Sequence, residues 1–176
     1  MGILRDIHKA SSPDILMSVK ISDNDGLWRA IESDLRLLNK SHTKVGFIGD
    51  ETRDDNSGLT NAEVAIFNEF GTSKFAGTIY IGGSEARPFM RPAVAKNKNK
   101  IADMQEAGYS RVIKQQSTVG RELSSIGTVM QREIQRMITA VKSPANAAST
   151  IKAKGSSNPL IDTSAMYQAV THKEVL

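Results

Sequence analysis

The chain has 176 residues, 39% hydrophobic and 24% charged, with a net charge of +4 and no cysteine. That length and balance fit one folded domain with a real core and exclude a disordered chain, while the missing thiol removes disulfides, cysteine nucleophiles and thiolate metal sites and fits a reducing cytosol. The positive balance is too small to single out nucleic acid, no apolar run approaches the roughly 20 residues that cross a bilayer, and charges at Arg5 and Asp6 interrupt what a secretory signal would keep apolar.

Residues 1–12 place Ile3, Leu4 and Ile7 on one helical face and end at Ser11-Ser12-Pro13, which predicts an N-terminal arm ahead of a single domain over 13–176. Asp14 to Ser22 alternates, with Ile15, Met17, Val19 and Ile21 on one side, the pattern of a half-buried edge strand. Leu27, Ile31, Leu35 and Leu38 then recur at helical spacing, with Trp28 beside them, so Leu27 to Leu38 is a predicted helix. Lys44 to Gly49 is a short strand that opens into the acidic loop Asp50 to Gly58. Clustered carboxylates there invite a calcium test, but a calcium-hand loop needs Gly at its sixth position and Glu at its twelfth, and neither register from Asp50 or Asp54 supplies them. A solvated, mobile contact loop carrying Asp54 and Asp55 is the expectation.

The stretch from Leu59 to Ala93 organises the rest. Thr60 and Glu63 have the spacing of a capping box, Leu59 and Val64 that of a hydrophobic staple, and Gly71 suits a left-handed helix end, so a helix of about three turns is closed at both ends. Ala62, Val64, Ala65, Ile66, Phe67 and Phe70 run nearly all the way round it, which predicts cover on several sides and makes Phe67 and Phe70 anchors. Thr78 to Ile81 is strand-like, and Gly82-Gly83-Ser84 is a turn, with no Gly-Lys-Ser/Thr to make it a phosphate loop. In Ala86-Arg87-Pro88-Phe89-Met90-Arg91-Pro92-Ala93 each arginine precedes a proline and is therefore expected in extended conformation. Pro88 then clamps the turn, Pro92 sits in the first turn of the following helix and Phe89 is a buried anchor.

From Pro92 to Lys114 the chain reads as helical or broken-helical, with Lys96, Lys98 and Lys100 spread around the helix. The longest predicted element runs from Thr118 to Val141. There Val119, Leu123, Ile126, Met130, Ile134, Met137 and Val141 form a continuous apolar seam, either core packed on a sheet or a coiled seam between subunits, stopped by Pro144. Ala145 to Ser157, with Lys152 and Lys154, reads as a second mobile loop. Asp162 or Thr163 caps a one-turn helix through Met166, and Ala169 to Val175 is a final strand. The sum is an α+β domain: a small, mostly antiparallel sheet from Asp14–Ser22, Lys44–Gly49, Thr78–Ile81 and Ala169–Val175, packed against one long amphipathic helix, with a short apolar helix and mobile loops.

Two of these stretches carry a resemblance. The helix Glu63 to Thr72, followed by Ala86 to Ala93, resembles the tail-completion or neck proteins, also called virion morphogenesis proteins, of long-tailed double-stranded DNA phages. Ile126-Gly127, Ile134 to Ile138, Pro144, Ser149 to Ile151, Lys154-Gly155 and Pro159 to Thr163 agree in order, so the resemblance covers about Lys44 to Val175. It implies a structural virion protein. Such a protein is a homo-oligomeric ring subunit at the head-tail junction, made in the host cytoplasm, which completes the tail and joins it to the DNA-filled head. The implied partners are other copies in a ring, six-fold by the usual tail symmetry or twelve-fold by a match to the head, together with other neck proteins, the tail terminator or head-side connector, and DNA passing through the channel. It implies no cofactor and no membrane.

The residues offer no chemistry to set against that. His8, His42 and His172 sit in the arm, a loop and the last strand without ligand spacing, no serine lies in a nucleophile elbow, and Glu63 and Glu69 fall on different helix faces. No catalytic, cofactor or metal site is expected. A nucleic-acid-binding protein using the basic loops is the alternative, without a helix-turn-helix or stacking platform behind it. Candidate contacts with neighbouring subunits or rings are Arg87, Arg91, Asp54, Asp55, Lys152 and Lys154; both arginines could instead bond the Glu69 region of their own chain. The structural anchors are Thr60, Glu63, Phe67, Phe70, Gly71, Pro88, Phe89 and Pro92.

Overall fold

The structure is a computed structural model and describes residues 25–49, 58–72, 75–76, 79–80 and 83–176, with 75–76 and 79–80 described by their backbone. The expected arm over 1–12, the edge strand Asp14–Ser22 and the acidic residues Asp54 and Asp55 lie outside the described residues. The described elements are α1 (Asp25–Lys40), β1 (His42–Phe47), α2 (Asn61–Phe70), β2 (Phe75–Ala76), β3 (Ile79–Tyr80), α3 (Met90–Ile113), α4 (Val119–Ala140), α5 (Ala148–Lys154), α6 (Ala165–Gln168) and β4 (Val170–Val175). This is an α+β arrangement in which helix dominates.

The frame is a pair of long helices, α3 and α4, of which α4 lies on a narrow sheet. α4 begins where the Thr118 hydroxyl accepts from the Arg121 N–H at 3.3 Å, the N-cap bond that satisfies one of the orphan donors of a first turn. It packs on α3 along one side and on β1 and β4 along another. Val119, Ile126, Met130 and Ile134 of the seam are buried, and Ile138 joins them. The seam is therefore core within one chain, and the reading as a coiled seam between subunits falls. β1 and β4 run antiparallel in a register from His42 against Val175 to Phe47 against Val170. The core centres on Phe89, Ala93, Ala65, Ile134, Ile138, Leu160, Met166 and Val170. Phe47 meets Phe89 edge-on, ring centroids 6.3 Å apart at 89°, an arrangement that sets a positive ring edge against a negative ring face.

Several expectations are corrected. The strand expected at Thr78–Ile81 does not join the main sheet; β3 pairs with β2, Phe75 against Tyr80 and Ala76 against Ile79, as a separate two-stranded unit. The cause lies at its base, where Thr72 N–H donates to the Ser84 carbonyl at 3.1 Å and Ser84 N–H donates to the Thr72 hydroxyl at 2.7 Å. The chain thus leaves and returns at one place and pairs with itself. The segment expected as a loop over 145–157 contains α5, because Ala148 and Ala153 favour helix and Gly155, at φ 66°, closes it with its N–H on the Ile151 carbonyl at 2.9 Å. The one-turn helix after Thr163 has Ser164, in left-handed conformation and without a side-chain cap bond, at its N-cap position, and Thr163 Oγ1 accepts a long bond, 3.4 Å, from the Ala165 N–H.

Two further corrections concern the organising stretch. Phe67 and Phe70 are not buried anchors: α2 buries Ala65 and Glu69 and leaves Ile66, Phe67 and Phe70 exposed. An apolar residue on every side therefore means one face for this chain's core and another that, among the described residues, stays exposed. Arg91 is not extended but lies inside α3, with Pro92 one residue later in the first turn. A proline there removes no helical bond, since first-turn N–H groups have no intrahelical partner. The turn is held instead by a carboxylate from α2.

Candidate functional site

The junction between the end of α2 and the start of α3 gathers most of the singled-out residues. α2 starts with the expected capping box: the Thr60 hydroxyl accepts from the Glu63 N–H at 3.2 Å, and the Glu63 carboxylate accepts from the Thr60 N–H at 2.8 Å. The Thr60 backbone donor holds the Glu63 carboxyl below its ordinary value. At the other end Gly71 has φ 77° but ψ 175°, so the helix closes through an extended glycine conformation and not the left-handed helical one expected. Only glycine fits there, because a Cβ would lie 2.8 Å from the Ser84 carbonyl oxygen and 3.0 Å from the Ala86 nitrogen.

Between those ends, Glu69 reaches across to cap α3. Its Oε2 accepts from the N–H of Phe89 at 2.7 Å and of Met90 at 2.9 Å, and its Oε1 from the N–H of Arg91 at 3.1 Å. The carboxylate thus occupies the positive end of a 24-residue helix, where a negative charge is favoured by the aligned peptide dipoles and by the unpaired donors. The Arg91 guanidinium adds a bond from Nε to Oε1 at 2.9 Å and one from Nη2 to the Glu69 carbonyl at 3.1 Å. Burial alone pushes the Glu69 carboxyl up, but the three backbone donors and Arg91 outweigh it and hold it below the ordinary carboxylate value.

Arg91 also lies over the Phe70 ring, 4.9 Å from its centroid, close enough for the cation to favour the ring face. Arg87 behaves differently. Its N–H donates to the Asn68 carbonyl at 2.6 Å, and its guanidinium donates to the carbonyls of Pro144 at 2.7 Å and Ala145 at 3.3 Å, tying α2 to the segment before α5. So Arg91 joins the Glu69 region and Arg87 does not bond the Glu69 carboxylate. Pro88 stands between them and delivers Phe89 to the core.

Lys152 is exposed on α5. Lys154 turns inward: its ammonium donates to the carbonyls of Asn158 at 2.7 Å, Pro159 at 3.4 Å and Ile161 at 2.9 Å. Burial pushes it below the ordinary lysine value, with Asp162 opposing and Arg87 adding to the effect. Its three donors are thereby used within the chain, which leaves Lys152 as the outward basic residue of that pair. Among the described residues no three His, Asp or Glu side chains are grouped to hold a metal ion, and no helix is long and apolar enough to cross a membrane.

Glu69 is the residue that sequence reasoning underused. Its partners lie about twenty positions on, and no local spacing rule links a carboxylate at one helix end to the N-terminus of the next. The available signal is the poor cap at Phe89, which offers no side-chain oxygen to α3 and so calls for an acceptor from elsewhere. Compared with known proteins, the chain matches no family model, no curated protein and no solved structure.

Proposed function

We propose that this chain is a structural subunit of a phage neck, one copy in a ring on the tail side of the head-tail junction, which completes the tail and joins it to the DNA-filled head. The observation that carries the reading is the Glu69 junction. The two stretches with the phage-neck resemblance, Glu63 to Thr72 and Ala86 to Ala93, are bonded to each other through Glu69, Phe89, Met90 and Arg91. Their shared residues therefore build one rigid corner of a subunit. A ring role needs such a corner and no reacting group.

The ring takes six copies by the symmetry of tails, and its neighbours are the tail terminator or head-side connector, with DNA passing through the channel. Its contacts are heterologous, one face of a subunit on a different face of the next, because only that arrangement closes a ring of more than two. Deleting the gene is expected to leave filled heads and tails that are separate or wrongly joined in electron micrographs. Joined, infectious particles from the deletion would end this assignment.

A further inference from the structure

α3 separates two exposed apolar faces. At its N-terminal end, bonded through Glu69, α2 turns Ile66, Phe67 and Phe70 outward at 55%, 40% and 64% exposure, and Val94 of α3, one turn on from Arg91, is 55% exposed. Residues 66, 67 and 70 fall within one arc of about 100° on a helix. At the far end, Gln115 just beyond α3 donates to Asp34 of α1 at 2.7 Å. There α1 presents Trp28 and Leu35, 68% and 47% exposed and two turns apart on one ridge. Twenty-four residues of helix put these two ends about 36 Å apart, so neither face covers the other within one chain.

We infer that the outward face of α2 is the seat for the Trp28–Leu35 ridge of α1 from a second copy of this chain. The inference rests on the ring reading for its biological setting and on the two faces for its geometry. The exposed fractions on the α2 side leave on the order of 400 Å² of apolar surface in water, the size of a functional patch on a monomer. At the usual apolar share of an interface this corresponds to roughly 700 Å² per partner, within the range of specific association. Trp and Phe are the residue types that anchor such contacts. Arg91, stacked on Phe70 and held by Glu69, keeps that ring outward before any partner arrives. Two unlike faces at opposite ends make the contact head-to-tail: pairing α2 with α2 would leave the α1 ridge bare in every dimer.

The test is mixing. Sedimentation of the full chain up to about 200 µM is expected to show species larger than a dimer, since a head-to-tail contact propagates until a ring closes. Trp28→Glu and Phe70→Glu each retain one intact face, so each alone should associate at least about tenfold more weakly, with unchanged far-ultraviolet circular dichroism. Mixed in equal amounts they should form a dimer and nothing larger, because only one matched pair of faces remains. Trp28→Ser and Phe70→Ser give the same pattern should a glutamate disturb its helix. Association of Trp28→Glu at wild-type strength would mean α2 on α2 and overturn the proposal, as would a mixture that stays monomeric or a wild-type chain monomeric at the highest concentration. Normal head-tail joining after gene deletion, by contrast, ends the neck reading and leaves this contact standing.

Discussion

Gly127 and His172 meet where α4 crosses β4: a Cβ built on Gly127 would lie 2.5 Å from His172 Cδ2, 2.8 Å from Cγ and 3.0 Å from Cβ. The imidazole has little room to retreat, since its Nδ1 lies 2.7 Å from Gln131 Oε1. The glycine is what lets the helix approach the strand, and Gly127→Ala tests that. Alanine is the better helix former by about 1 kcal/mol, but overpacking of this kind costs about 1–3 kcal/mol. A net loss of stability is expected in urea, and a smaller one in a His172→Ala background, where only the Cβ contact at 3.0 Å remains. A stabilised single variant would show that the contact relaxes freely.

Glu69→Ala should destabilise the chain by about 2–3 kcal/mol, combining a lost helix cap with buried donors left unmatched. Removing the exposed capping glutamate, Glu63→Ala, should have the smaller effect, because water can satisfy the donors it leaves. Denaturant unfolding of the two variants side by side decides the order. Equal losses would mean that α3 does not depend on α2 for its first turn.

Phe89 is fully buried and meets Phe47 edge-on. Phe89→Ala should cost about 3–5 kcal/mol, the usual range for emptying an aromatic site in a core. A loss below about 1 kcal/mol in denaturant unfolding is the behaviour of a surface residue and would place the core elsewhere.

The pH dependence should be one-sided. The Arg111 guanidinium, donating to Glu122 with Nε at 3.0 Å from Oε1, pulls the Glu122 carboxyl down from 4.5 to about 2. A carboxyl depressed in the folded state adds stability that is fully present above its unfolded value and disappears as pH falls through the folded one. The Arg111–Glu122 contribution should therefore be intact above about pH 4.5 and gone near pH 2, with Glu69, also depressed, adding to the same acid loss. Glu122→Gln should be less stable than wild type at neutral pH and converge with it near pH 2. A gap that stays constant across that range would assign the effect to packing against Gly108, whose Cβ position lies 3.1 Å from Glu122 Oε2.

What the sequence discloses follows the range of the interaction. The capping box at Thr60 and Glu63 acts over three residues, and the apolar seam from Val119 over helical turns, so both are readable as spacing, and both are found. Phe89 is legible because two prolines leave it one place to go. Glu69 is not, because its partners come from another helix. The exposed side of α2 misleads for a related reason: periodicity reports that Ile66, Phe67 and Phe70 are apolar, not whether the cover belongs to the same chain. Arg91 and Pro92 show local preference overruled, since three donors converging on one carboxylate hold in a helix a residue that its proline disfavours.

The Thr72–Ser84 clasp has a consequence for which changes of length this protein can absorb. An excursion whose two feet are bonded together transmits nothing of its length to the frame beneath, and each doubling of such a span costs only about 0.6 kcal/mol in closure entropy. Lengthening or shortening the span between Thr72 and Ser84 should therefore leave the α2–α3 corner as it is. The same span is where an inserted epitope or fluorophore tag should be carried without loss of the fold.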